Sequence, residues 1–153
     1  HTTKTVGHKT GTAQDDRWHN NIFVRQGLDA VKTAPGYSSD HNVFLEGAGK
    51  SPFGDDNSTV DPHVTGFAIE DHPLGTTITF SAGESWPPVT GPWVDAQLIG
   101  VLPTVGQTIE DRHGTPISVD TDINGKKFSH PIPGPLADLK RGKNAIVWSL
   151  GKP

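Results

Sequence analysis

The sequence predicts an all-β chain, with coils of a β-solenoid over residues 1–72 and a small antiparallel β-sandwich or capping sheet over residues 73–153. Three observations predict it. Gly (18) and Pro (13) make up about a fifth of the 153 residues, against roughly 12% in average usage, and such a composition favours short strands joined by turns. Asn20-Asn21-Ile22-Phe23-Val24 matches His41-Asn42-Val43-Phe44-Leu45 at an offset of 21 residues, the period of a solenoid rung that supplies short strands and the bends between them. Beyond Pro73 the pattern turns to separate, alternating strand-like segments between Gly- and Pro-rich links.

Each matching segment runs into a Gly-containing turn, Arg25-Gln26-Gly27 and Glu46-Gly47-Ala48. Stacked rungs place like residues above like at the strand spacing of about 4.8 Å, so Asn at equivalent corners is expected to form a ladder of side-chain hydrogen bonds. Extending the register forward assigns a poorer rung to His63–Ile69, and extending it back assigns one to Thr2–His8. The Leu-x-x-Leu-x-Leu signature of leucine-rich repeats is absent. In the second half, Thr76–Phe80, Ala96–Val101, Pro116–Val119 and Asn144–Trp148 are expected strands. Asn124-Gly125 and the Pro131–Pro135 run are turn signals, and Ser81–Trp93 is a long irregular loop carrying two tryptophans. Helix is expected only as a turn or two over Leu136–Lys143, stopped by Gly142.

Composition excludes several classes of function. With 13 Lys+Arg against 17 Asp+Glu, the net charge is −4, which offers no phosphate-seeking surface and argues against a nucleic-acid partner. Apolar runs are short, as in Ile22-Phe23-Val24, so no membrane span is expected. The absence of Cys removes disulfides, thiolate zinc sites and a thiol nucleophile. The absence of Met predicts a chain freed of its leader or cut from something longer.

The stretch Gly11-Thr12-Ala13-Gln14-Asp15-Asp16-Arg17-Trp18-His19-Asn20-Asn21-Ile22-Phe23-Val24, followed by Asp40–Leu45, resembles the last coils of secreted right-handed parallel β-helix proteins. In those proteins a phrase of the type Asp-Asp-Arg-aromatic-x-Asn-Asn-Ile-Phe recurs near the C-terminal end. The stretch Asp120–Lys127, running into Pro133–Leu139, is similar to their endings. The resemblance covers residues 5–50 well and 95–140 loosely. It implies the last coils of a right-handed parallel β-helix followed by the sandwich or cap. Many of these proteins are carbohydrate-active, glycoside hydrolases or polysaccharide lyases, with a sugar-binding groove along the helix. The resemblance therefore also implies a carbohydrate substrate and a secreted or periplasmic location. Members carry many more coils, so the chain is expected to be the C-terminal part of a longer enzyme, with the N-terminal remainder of that protein as its partner.

Asp15, Asp16 and Arg17, with His8 and His19, form the candidate catalytic constellation, because glycoside hydrolysis uses one protonated and one ionised carboxyl. Strand alternation leaves two arrangements open. If Ile22 and Val24 face inward, Asp15, Arg17 and His19 point outward together; if Asn21 and Phe23 face inward, Asp16 and Trp18 do. Asp40, His41 and Glu46 fall on the next rung, where stacking would bring one near Asp15 or His19. Trp86 and Trp93 offer faces for sugar rings, while Trp18 and Trp148 are expected in the core. The candidate substrate-binding set is thus Arg17, His19, His41, Glu46, Trp86 and Trp93. No cofactor is expected. Two segments are candidates for calcium: Asp120-Thr121-Asp122-Ile123-Asn124-Gly125 matches half of a calcium loop but has Pro131 where Glu is required, which favours an Asn-Gly hairpin, and Asp55-Asp56-Asn57 with Asp61 is the other. A chain starting at His1 is similar in that respect to copper monooxygenases of polysaccharides, with His8, His63 or His72 as a second ligand, but the surrounding sequence does not resemble them. The lyase alternative uses Arg17 on a uronate carboxylate and His8 or His19 as base. A non-catalytic carbohydrate-binding or assembly module is the third reading.

Overall fold

The computed structural model describes residues 16–32, 36–86, 88, 90–102 and 105–149. The chain is all-β with almost no helix. Strands β1 (Arg17–His19) and β3 (Ser38–Asp40) form one parallel pair, and β2 (Ile22–Val24), β4 (Val43–Leu45) and β5 (Thr59–Asp61) form a second parallel sheet in that order. Strands β6 (Ala68–His72), β7 (Gly75–Ala82) and β8 (Gly142–Ser149) form an antiparallel sheet, also in that order. Between β7 and β8 lies a short helix, α1 (Ala96–Ile99).

The 21-residue offset is a real stacking register. Arg17 pairs with Ser38, Ile22 with Val43 and Phe23 with Phe44. The phenyl rings of Phe23 and Phe44 stack with centroids 5.0 Å apart and planes 8° from parallel. The expected ladder also forms: Asn42 Oδ1 accepts from Asn21 N at 2.9 Å and from Asn21 Nδ2 at 3.2 Å. On the third level Ser58 takes the corner, its Oγ accepting from Asn42 N at 2.8 Å. The repeat extends to backbone shape, since Asn20 (φ 56°) and His41 (φ 55°), then Arg25 (φ 67°) and Glu46 (φ 50°), share the left-handed conformation at the same offset. Where the two returning turns meet, a Cβ on Gly27 would run into the backbone of Gly49, and Leu28 N donates to Gly49 O at 2.8 Å.

Several expectations are corrected. The third rung is Thr59–Asp61, paired to Val43–Leu45 at an offset of 16, and not His63–Ile69. The return between rungs is shorter there, and the chain leaves the stack to enter β6, which pairs antiparallel with β7. Residues 17–24 are not one strand: the left-handed Asn20 turns the corner between β1 and β2. Alternation does not run through the corner: Trp18 and Phe23 pack in the same apolar cluster with Phe44 and Leu28, while Ile22 and Val24 pack against the larger core, so Arg17 and His19 lie together as in the first arrangement, with Asp15 outside the described residues. Ala96–Ile99 is helical, because Asp95 Oδ1 caps Leu98 N at 2.8 Å and Gly100 (φ 71°) closes the turn. Pro116–Val119 makes only isolated bridges, from Pro116 to Glu110 and from Ser118 to Asp95. Leu136–Lys143 forms no helix; Leu136 and Leu139 are buried in the larger core instead. Trp148 is 69% exposed. The expected rung at Thr2–His8 lies outside the described residues.

Two apolar clusters lie on opposite faces of the β2–β4–β5 sheet. On one face are Phe44, Leu28 and Ala48 with Trp18 and Phe23. On the other, Val43 and Leu45 meet Phe80, Ala82 and Ile146 of the antiparallel sheet, with Trp86, Leu136 and Leu139. Consecutive residues of β4 thus serve different cores, as strand alternation dictates.

Candidate functional site

Because Trp18 packs inward, Arg17 and His19 occupy the opposite face of β1, and their in-register partners Ser38 and Asp40 lie beside them on β3. His19 Nε2 is 2.9 Å from Ser38 Oγ, and Arg17 Nε donates to Ile99 O at 3.3 Å. The second half of the chain folds over this face. Between the two halves is a cavity of about 210 Å³, with His19, Asn20 and Asn21 on one side and Trp93, Val119 and Phe128 on the other.

The wall carrying Trp93 is pinned down. Asn20 Nδ2 donates to Pro92 O at 2.9 Å. Gly91 lies so close to the corner that a Cβ there would meet Asn20 Oδ1, and would sit 2.8 Å from His41 Cβ. Trp93 keeps 36% of its surface exposed. Trp86, at the other end of the same loop, is buried, with its indole N–H donating to Leu139 O at 3.1 Å. One tryptophan of this loop therefore anchors it in the core and the other faces the cavity.

The electrostatics of the face follow from its partners. Burial pushes the His19 imidazole below its ordinary value, with His41 and Arg17 adding to that and Asp40 opposing it, so His19 is held toward the neutral form. Burial would raise Asp40, but this is outweighed by hydrogen bonds from Asn57 Nδ2 (2.7 Å), Asn57 N (2.9 Å) and His41 N (2.9 Å). Asp40 is thereby held ionised, with His41 Nδ1 3.3 Å from its second oxygen. Every carboxyl that is clearly shifted among the described residues is shifted down: Asp40, Glu46, Asp61, Asp111 and Asp122. Such groups suit a nucleophile or base, not a proton donor.

The sequence-derived candidates fall in different places. His19 and Trp93 come together at the cavity, whereas His41 lies beside Gly91 at the corner and does not line it. Glu46 is on the second corner column, accepting from Thr65 Oγ1, from Arg25 Nε at 2.7 Å and from Thr65 N at 2.7 Å, which lowers it to about 2. Asp16 opens β1, its backbone carbonyl accepting from Ser38 N at 3.0 Å. Asp15, His8 and His1 lie outside the described residues. Of the candidate calcium ligands, Asp55 accepts from Asn42, Ser58 and Ser51, and Asp61 from Ser85 and His63. Asp122 ties its own turn by accepting from Asn124 N and Lys126 N, both at 2.9 Å. Among the described residues no three acidic or histidine side chains cluster as a metal site. Asn20 and Phe128 were not foreseen as cavity residues. The signal for Asn20 was present in its corner position; for Phe128, distant in sequence, there was none.

No protein-family model matches the chain, and no curated protein sequence matches it. Among solved structures there is a match to the structure of XylC in complex with xylose, with TM-score 0.72 and 20% identity, covering 89% of this chain and 26% of the XylC chain. The fold is similar to that of XylC. The chain spans about a quarter of the length of XylC, and at this identity the likeness is one of fold.

Proposed function

We propose that the chain is part of a glycoside hydrolase acting on a polysaccharide or oligosaccharide, its parallel sheets being the last coils of a right-handed parallel β-helix. The cleft between β1/β3 and Trp93 is then the carbohydrate site. The observation that carries this reading is the pairing of one half-exposed indole with His19, Asn20 and Asn21 around a cavity of one small ring's size, the apolar wall and polar fringe that a sugar ring requires. The fold likeness to a protein seen with xylose supports the same ligand class. Asp40, held ionised beside His19, is the nucleophile or base. The acid is Asp15 or Asp16, or a carboxyl from another coil, across the roughly 5–9 Å that hydrolysis needs. Arg17 and His41 orient the substrate, and the setting is secreted or periplasmic.

A lyase reading has one observation in its favour, a His19 held neutral on the same face as Arg17. The two separate in one assay series. Asp40→Asn is expected to lower release of reducing sugar from xylo-oligosaccharides about 10³-fold with the fold intact by circular dichroism, and Trp93→Ala to raise KM. Unsaturated products from a uronate polymer, lost in His19→Gln but not in Asp40→Asn, would replace hydrolysis with elimination. Full activity in Asp40→Asn, Asp15→Asn and Asp16→Asn alike would leave a binding module.

A further inference from the structure

The antiparallel sheet is longer than the layer it packs on. Strands β7 and β8 have eight residues, about 26 Å, whereas each strand of the β2–β4–β5 sheet has three, about 10 Å. The sheet face that is buried at Phe80, Ala82 and Ile146 therefore runs on beyond its partner layer. Directly opposed residues of antiparallel strands lie on one face. The register pairs Ile146 with Ile78 and Ile78 with Ile69, then Trp148 with Thr76 and Thr76 with Asp71. Along that face exposure rises from the buried Ile146 to Ile69 at 57% and Trp148 at 69%.

We propose that the Trp148–Thr76–Asp71 row is a second carbohydrate-binding surface, separate from the cleft, that takes a neutral glycan chain lying across the three strands. An indole with one open face offers the apolar area on which the C–H face of a pyranose stacks. Next to it Thr76 Oγ1 donates to Asp71 Oδ1 at 2.8 Å, leaving the second oxygen of that carboxylate and the hydroxyl's lone pairs for sugar hydroxyls. The row spans two strand spacings, about 10 Å, the reach of a disaccharide. The charge pattern selects this occupant. Asp71 is exposed in the row itself and the chain carries a net charge of −4, which repels an anionic polymer, while a carboxylate set beside the aromatic is unlike the charge-depleted centre of a protein interface. A neutral, hydroxyl-rich ligand meets both features. The ligand class rests on the carbohydrate reading of the cleft; the site does not depend on hydrolysis.

The test is affinity electrophoresis of the whole protein through gels containing soluble arabinoxylan or mixed-linkage β-glucan, alongside turnover of a short xylo-oligosaccharide. Trp148→Ala and Asp71→Asn are expected to weaken retention by one of these polymers roughly tenfold while leaving short-substrate turnover and Tm unchanged. Trp93→Ala is expected to do the reverse. Retention that depends on Trp148 in a protein without hydrolytic activity would sink the cleft mechanism and keep the surface. Retention by neither polymer in the wild type, or equal retention in Trp148→Ala, overturns the surface. A wild type that sediments as a dimer, with Trp148→Ala a monomer, would also overturn it and assign the face to contact between copies.

Discussion

Asn42 is 1% exposed, and its amide nitrogen donates to Trp18 O (2.8 Å), Asp55 Oδ1 (2.8 Å) and Ser39 Oγ (3.1 Å) while its oxygen accepts from Asn21. Removing it strands several buried partners at once. Asn42→Ala is expected to destabilise by about 3 kcal/mol, in line with the cost of unsatisfied buried groups. Asn42→Asp is expected to be worse at neutral pH, because it sets a second carboxylate against Asp55; urea titration showing equal loss in the two variants would contradict this. The same scale sets the response to acid. Glu46 titrates at about 2 against an ordinary 4.5, and Asp40 and Asp61 are lowered too. Their contribution is complete above the unfolded values and is lost as pH falls through about 4.5 toward 2. His19, lowered from 6.5, favours a folded state with neutral imidazole, so stability also declines as pH falls below 6.5. A Tm flat above pH 7 and falling in two limbs is expected, with Glu46→Gln flattening the lower limb; a Tm constant from pH 7 to 3 would refute it. Residue by residue, the stack was legible where identical side chains recur, as at Asn21/Asn42 and Phe23/Phe44. At Asn20/His41 and Arg25/Glu46 the offset aligns the positions, but their shared left-handed backbone was not legible, because dissimilar side chains adopt it.

Elements were legible where a repeat or a sustained alternation marked them. Strands β7 and β8 each enclose the segment expected from alternation, since eight residues with opposed partners give a clear period. Ala96–Ile99 was misread because a four-residue apolar run has no period of its own; the deciding signals were Asp95 before it and Gly100 after it, a cap and a stop. The loop between β7 and α1 behaves as a strap, fixed by Trp86 in the core at one end and by Gly91 and Pro92 on the Asn20–His41 corner at the other. Gly91→Ala is expected to cost about 1–3 kcal/mol, the usual penalty of overpacking. Part of that loss is expected to return in the Gly91→Ala/Asn20→Ala double variant, because one of the clashing groups is then gone. Thermal unfolding of the four proteins measures the coupling, and strictly additive losses would mean that the strap does not rest on that corner.

At the scale of the whole molecule, the central strand β4 faces both cores, Phe44 toward one and Val43 and Leu45 toward the other. The sequence divides the chain near residue 72, where composition and pattern change, yet whether the halves unfold separately depends on how strongly that strand couples them. The cavity between His19 and Trp93 exists only while both halves are in place. Phe44→Ala opens a void in the cluster of Leu28 and Ala48, whose members among the described residues include none from the antiparallel sheet, at an expected cost of about 3–5 kcal/mol. If β4 transmits that loss, amide exchange at Thr77–Phe80 of β7 accelerates by the factor that corresponds to the global destabilisation, and far-ultraviolet and near-ultraviolet melts remain coincident. If the halves are independent, β7 keeps its protection while residues 17–24 lose theirs, and Leu45→Ala, on the other face of the same strand, gives the opposite pattern. The first outcome is expected, because three-residue strands packed on both faces have too little pairing of their own to hold either core alone.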